Sequence, residues 1–487
     1  MGFVPKFRKI LFYIFVAIYL ILCPLLIFHA LGISFDLDTK TILKTGVIFL
    51  DTMPFGARVY LDHRRLPKKT PTLIRNLPPG KYTIMLSLAG HLPWEGELLV
   101  EAEKAKNLRH ILLIPERWSV ETTSSLTFEN ILTWDQQPLL LAYQGLQMKK
   151  TFVYRWNSPK LSRSGKDFSA LSSPNSVYHS TTIRKIFSQK NSPIIILQGE
   201  LNKHPKFLWI DLSQKSFSPQ DISDLFPQVP QNILWDAQNP EILFTLNNQS
   251  VSRLDLVSRA IDTNVFTNVH DSIIENQHMY VLTNQFSIKK YNLKSEKEEW
   301  VLTNPQWGQP LLNRHQHWKI SVLSDQIVIL LSEKGALLSN HLPYEFVKEG
   351  VRGLKFHAEK KQLLIFTEHQ MGVLDFSSQA LESLFETPLQ VSWIDTQDDH
   401  IQDVFWINEG TQILYTTRHQ VYLIDLQSFG QTKKHLVTEI KKNTQVSYVD
   451  GKLFYLVPEN GQLSTIQILP SRPSFFRLLK EKDTHAI

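Results

Sequence analysis

The chain has 487 residues, 43% of them hydrophobic and 20% charged, an ordinary balance for folded modules, and its length allows about two to four of them. Cys23 is the only cysteine, which excludes internal disulfides and a zinc–thiolate centre. The net charge of +6 is spread along the chain without a long Lys/Arg block, so no nucleic-acid partner is expected.

Residues 10–33, ILFYIFVAIYLILCPLLIFHALGI, are the one run apolar enough to leave water. A helix of that length is roughly 36 Å long at ~1.5 Å per residue, against a bilayer core of about 30 Å, and a single transmembrane anchor is expected. Lys6, Arg8 and Lys9 precede the run, whereas Asp36, Asp38 and Lys40 follow it. By the positive-inside rule, residues 1–9 are cytoplasmic and the bulk of the chain lies outside the cytoplasmic membrane. A cleaved signal peptide has a shorter apolar core of ~7–15 residues. Leu22 before Cys23 is not the small residue that a lipoprotein signal requires. Nine residues before the run are too few for a signalling domain.

A polar connector is expected at 34–45. After it come short apolar runs at 47–50, 57–61, 82–88, 97–100 and 108–114, punctuated by Pro54-Phe55-Gly56 and Leu77-Pro78-Pro79-Gly80. Alternating strands with turns and no helix predict a small β-sandwich at 46–116. Pro54 sets φ for the first turn, Gly56 takes a positive φ, and Pro79-Gly80 repeats that chemistry. Asp62 and His63 are neighbours, so a strand points them to opposite faces and away from any shared site.

Pro54-Phe55-Gly56-Ala57, Val59-Tyr60-Leu61-Asp62, Thr70-Pro71, Leu77-Pro78-Pro79-Gly80-Lys81-Tyr82, Gly90-His91 and Trp94 fall in the order found in the PEGA domain, which 46–115 resembles. Phe55 stands where that family has Glu. The resemblance implies a noncatalytic β module of a prokaryotic cell envelope.

From Trp118 the chain repeats. Trp235, Ile242 and Asp255, then Phe356, Leu363 and Asp375, then Trp406, Ile413 and Asp425 recur at nearly constant spacing. Weaker copies carry Phe187 with Ile194 and Asp211, and Ile274 with Tyr280 and Asn292; others begin near Ile131, Ile320 and Val446. Each unit of about 40–50 residues reads as strand, turn, buried strand, turn and outer strand, which predicts a seven- or eight-bladed β-propeller at 117–470. The copies resemble blades of TolB-type propellers, with Asn408-Glu409-Gly410 where such blades often have Ser-Pro-Asp-Gly. Residues 471–487 are expected to be a tail that caps the propeller.

His315 and His317 share one face of a strand, and Asp395, Asp398, Asp399, His400 and Asp403 form the densest acidic patch. The first pair has no third zinc ligand nearby, and the patch lacks an EF-hand glycine. The repeated Asp211, Asp255, Asp375 and Asp425 suit turn-capping carboxylates, since catalysis needs its acid once. HExxH, GxSxG, Walker and Rossmann motifs are absent, and no catalytic residue or cofactor is expected. The sequence therefore points to an all-β, membrane-anchored binding or scaffold protein with a protein or cell-wall glycan partner. A propeller hydrolase or lyase acting on envelope polymers is the alternative.

Overall fold

The computed structural model describes residues 11–23, 33–36, 41–134, 137–144, 150–157, 160–162, 182–189, 192–213, 219–236, 238–285, 287–302, 317–323, 328–339, 346–376, 391–396, 400–426, 434–442 and 444–470. Two compact units emerge, one of 1–118 with 411–413 and 424–435, the other of 119–410, 414–423 and 436–487.

A helix occupies 11–23. Leu11, Phe12, Tyr13, Phe15, Tyr19 and Ile21 are all exposed, so apolar side chains cover the helix on every side. Among the described residues no helix is long and apolar enough to cross a membrane. Residues 10 and 24–32 of the expected span lie outside the described residues, as does the tail at 471–487. The connector is more than a linker, since β1 (Ile33–Asp36) pairs antiparallel with β2 (Thr41–Lys44).

The sandwich is built from β3 (Gly46–Met53), β4 (Arg58–Leu61), β5 (Arg64–Lys69), β6 (Thr72–Leu77), β7 (Gly80–Ser87), β8 (Trp94–Val100) and β9 (Ala105–Leu112). One sheet runs β6-β3-β9 and the other β5-β4-β7-β8. Ile48 and Leu50 of β3 pack with Val59, Ile84, Leu86, Leu98 and Ile111 in one core. Strict alternation of buried and exposed residues in β8 is the pattern of a strand with one wet face. The apolar pattern does not announce β5 and β6. Both are edge strands, and β5 is the exposed RRLPKK, whose charges and proline suit an edge.

Gly56 has φ +93°, as its turn requires, and Thr70 Oγ1 accepts the Ala57 N–H at 3.0 Å. Two expectations change here. Gly80 opens β7 and has no positive φ, the left-handed residue nearby being Asn76 at +59°. Asp62 and His63 are not in a strand; with φ of +46° and +66° they form the two-residue turn between β4 and β5.

From β10 (Val120–Thr127) onward, the described residues form eight four-stranded sheets. The first seven follow chain order, at 130–162, 182–221, 232–267, 269–302, 318–348, 353–395 and 403–439. The eighth, 447–467, takes β10 as its outer strand, with Val120 opposite Ile466. This is a propeller-like array in which an early strand completes the last sheet.

The second strand of the sheets explains the packing. Ile194–Leu201 begins with four buried residues, Gln412–Thr416 is buried throughout, and Lys452–Leu456 has four buried in a row. A strand buried on both faces needs a neighbour on each. Leu141 accordingly packs with Ile195 and Ile210, Trp235 with Ile196 and Phe207, and Phe244 with Met279 and Val281. Tyr280 meets Trp318 and Leu330, and Ile329 meets Leu363 and Ile365. The series returns to its start, because Ile131, Leu140 and Ala142 of the first sheet share a core with Phe454, Leu456 and Leu463 of the eighth.

Repeat positions recur as hydrogen bonds. After the third strand, the next N–H reaches back to the turn between the first two strands or the start of the second: Leu212 to Pro193 O (2.9 Å), Leu256 to Glu241 O (2.9 Å), Phe376 to Lys361 O (2.8 Å) and Ile468 to Gly451 O (2.8 Å). Asp211 and Asp255 cap their turns as expected, accepting the N–H of Ser213 at 2.8 Å and of Val257 at 2.9 Å. Asp425 does not. It is buried, belongs with the first unit, and accepts Trp94 Nε1–H at 2.7 Å and Gln412 Nε2–H at 3.2 Å. A carboxylate removed from water needs such donors, whatever the repeat suggests.

The repeat tryptophans differ as well. Trp235 is fully buried, opposite Leu243, with a bulge between it and Asp236. Trp406 is half-buried and donates Nε1–H to Lys355 O at 2.9 Å. Trp235→Ala should therefore cost about 3–5 kcal/mol, the range for emptying a large aromatic site. Trp406→Ala should cost less and Asp255→Asn least. Urea unfolding of the three variants checks the order, and equal losses would refute this register.

Candidate functional site

In a meander, the turn joining the second and third strands lies at the same edge as the connection to the next sheet. Hydrogen bonds stitch these two features together along the array. Val269 N–H donates to Gln249 O at 2.8 Å, Val351 to Gly335 O at 2.9 Å, and Ile440 to His419 O at 2.7 Å. Phe128, ahead of the first sheet, donates to Gly461 O of the eighth at 2.8 Å, the same bond across the join. The turns are tight; Asn202-Lys203 and Asn248-Gln249 both have paired positive φ, a two-residue hairpin geometry. One edge of the array is thus a row of short, fixed turns.

Among the described residues, a cluster of side chains that could hold a metal lies where the sixth sheet meets the seventh. Thr367 and Thr417 start the equivalent turns Thr-Glu-His-Gln and Thr-Arg-His-Gln, and their hydroxyls accept the N–H of Gln370 (3.1 Å) and Gln420 (3.2 Å). The Glu368 carbonyl accepts Ile401 N–H at 2.8 Å, and the His369 carbonyl accepts Thr396 N–H at 3.0 Å. These bonds set His400 beside the turn. The ligand atoms of Glu368, His369 and His400 lie within 4.8 Å of one another, with the two rings 5.3 Å apart. Arg352 pairs with Glu368 Oε2 at 3.1 Å, and His400 Nδ1 abuts Oε1. Partial removal from water, then the Arg418 and Arg352 charges, hold His400 below the ordinary imidazole range, which favours its neutral form.

On the same edge Lys348 Nζ stands 3.6 Å from the centre of the exposed Trp393 ring and also bonds Gln370 Oε1. Burial lowers the Lys348 pKa, against the pull of Asp395. This gives the edge a cation–π pair open to solvent.

The expected site residues are dispersed. His315, Asp398 and Asp399 lie outside the described residues. His317 is exposed, and its ring stands 6.3 Å from His270 of the fourth sheet. Asp395 ends the outer strand of the sixth sheet, opposite Gln370. Asp403 pairs with Lys355 at 3.2 Å and caps Val404 N–H at 2.9 Å, which commits its carboxylate locally. Of the acidic patch, only His400 joins the cluster, and the partners it meets were not singled out in the sequence. The aligned turns at 367–370 and 417–420 were the available signal for Glu368 and His369.

A second polar group joins the fourth and fifth sheets. Trp318 N–H donates to His270 Nε2 at 2.8 Å, and Ile320 N–H to Asp271 Oδ2 at 2.9 Å. Desolvation raises the Asp271 pKa despite these bonds and Lys319. The folded state then holds the proton more tightly than the unfolded chain, so ionisation of Asp271 subtracts stability as pH rises through the carboxyl range. Asp271→Asn keeps an oxygen for Ile320 and removes the charge. The variant should melt above the wild type at pH 7, with the gain vanishing at acid pH where wild-type Asp271 is protonated. Thermal melts across pH check this, and a gain that grows toward acid pH would overturn it.

The PEGA domain family matches residues 45–112. No curated protein matches the chain. Among solved structures, the chain is similar to BamB from Moraxella catarrhalis, at 12% identity and TM-score 0.42, over 72% of this chain and 100% of that one. It is also similar to Saccharomyces cerevisiae Sqt1, at 12% identity and TM-score 0.44, over 72% and 98% respectively. A third likeness is to the β-propeller domain of Myceliophteria thermophila Cps50 (Swd1), at 12% identity and TM-score 0.36, over 59% and 99%. The segment 45–112, with its tight turns and two-sheet core, is a PEGA domain.

Proposed function

We propose that this chain is a membrane-anchored binding protein of the prokaryotic cell envelope, carrying a PEGA domain and a closed, eight-bladed β-propeller outside the cytoplasmic membrane. The observation that carries the binding role is the edge of fixed turns. The third and seventh sheets place Asn248-Gln249 and His419 on short turns whose backbones are bonded to the next connection, and the outer strands of the fifth and sixth sheets add Lys348 and Trp393 beside them. Such an edge offers side chains to a partner at little ordering cost, and an exposed Trp beside a Lys suits an aromatic-and-charge contact. The partner is a protein, with cell-wall glycan as the other occupant to be separated by experiment.

The exposed apolar helix at 11–23 supports the anchor, since burying its side chains in lipid removes apolar surface from water. The basic residues Lys6, Arg8 and Lys9 before it support an inside N-terminus.

Two measurements test the reading. In a Cys23→Ser background, Val257→Cys should react with a membrane-impermeant maleimide in intact spheroplasts and Lys6→Cys should not; the reverse pattern would refute the topology. Separately, a photo-crosslinking residue in place of Trp393 should yield discrete protein adducts in living cells. A muramidase-sensitive smear would assign the edge to glycan, and adducts from the opposite edge at Val257 with none from position 393 would sink the edge as the binding surface.

A further inference from the structure

We propose that Glu368, His369 and His400 form a binding site for a divalent transition-metal cation of the zinc type at the junction of the sixth and seventh sheets. Two imidazoles and one carboxylate are a donor set that zinc takes in sites with three protein ligands and one open position. The same set suits calcium poorly, because calcium takes six to eight oxygens.

The geometry needs little change to close around an ion. Metal–ligand bonds of ~2.0–2.2 Å in a tetrahedron put donor atoms roughly 3.4 Å apart. The three side chains already bring theirs within 4.8 Å of one another. Side-chain rotation covers the remainder, because the backbone is held from both sides by Ile401 N–H on the Glu368 carbonyl and Thr396 N–H on the His369 carbonyl. Arg352 occupies Oε2 of Glu368 at 3.1 Å and leaves Oε1 turned toward His400. A partner on the outer oxygen is the arrangement that orients ligating carboxylates elsewhere. His400 Nδ1 is out of contact with water and presses on that oxygen without the geometry of a hydrogen bond. Rotation of the two side chains would open this pair to the ~3.4 Å separation at which one cation takes both atoms as ligands.

His369 is exposed, so the fourth position faces solvent and accepts water or a donor from another molecule. Cation binding here requires neither the membrane anchor nor a protein partner, and its failure would leave the binding role standing.

The test uses the full-length protein in detergent, stripped with chelator and titrated with zinc chloride against a chromophoric competitor. One equivalent should bind, and His369→Ala, His400→Ala and Glu368→Gln should each weaken it on the order of tenfold or more. His63→Ala, an exposed histidine of the PEGA domain, should bind like the wild type. Cobalt(II) should give the visible ligand-field band of a four-coordinate site, and the band should disappear in the three variants. Absence of zinc binding by the wild type, unchanged affinity in His369→Ala, or an equal loss in His63→Ala would each overturn the proposal. If His400→Ala fails to fold, the exposed His369 and the isosteric Glu368→Gln decide the outcome.

Discussion

The second strand of each sheet sets the terms for the rest of the array. Leu363, Leu364, Ile365 and Phe366 are consecutive and all buried, so alternate side chains leave the sheet on both faces and both must be covered. Each fully buried aliphatic side chain is worth about 1.5–3 kcal/mol, and a sheet standing alone forfeits half of that. An open row of sheets would leave a bare face at each end. The shared core of Ile131, Leu140, Phe454 and Leu463 removes both bare faces at once, and β10 pairing with Gln462–Gln467 ties the join through the backbone.

That constraint also explains what was readable beforehand. A strand buried on both faces appears in the sequence as a solid apolar run, and a conserved spacing from Trp235 to Asp255 or Phe356 to Asp375 marks the strands on either side of it. Eight starts near Ile131, Phe187, Trp235, Ile274, Ile320, Phe356, Trp406 and Val446 fall in or beside the first strands of eight sheets. The fourth strands were hidden for the opposite reason. Ile261–Thr267 is largely exposed and is held by backbone bonds to Ser250–Asp255, so its side chains carry no apolar signature. In the sandwich, β5 was hidden in the same way, as an exposed edge whose charge resists further pairing.

Spacing also misled where one position served two ends. Asp255 and Asp425 both end the third strand of their sheet, yet the first caps the Val257 and Ser258 amides in water and the second is buried against Trp94 and Gln412. Repetition identifies where the backbone turns. It does not identify what surrounds the side chain, because that depends on residues far away in sequence, 331 positions in the case of Trp94 and Asp425. The same limit hid the histidine–glutamate cluster, since His400 precedes one sheet while Glu368 and His369 turn within the sheet before it.

The junction of the sixth and seventh sheets shows why such an array can vary its chemistry without endangering its fold. The fold draws on the carbonyl oxygens of Glu368 and His369, which accept from Ile401 and Thr396, and on the Thr367 hydroxyl that closes the turn. None of these bonds involves the Glu368 carboxylate or either imidazole. The next turn keeps the backbone bonds with Arg418 in place of Glu368, Ile440 donating to the His419 carbonyl as Thr396 does to that of His369. Side chains at these positions can therefore change without breaking the backbone bonds of the turn, whereas the two-faced strands beneath them answer only to packing. A change at Glu368 should register in what the edge binds, and a change at Ile365 in whether there is an edge at all.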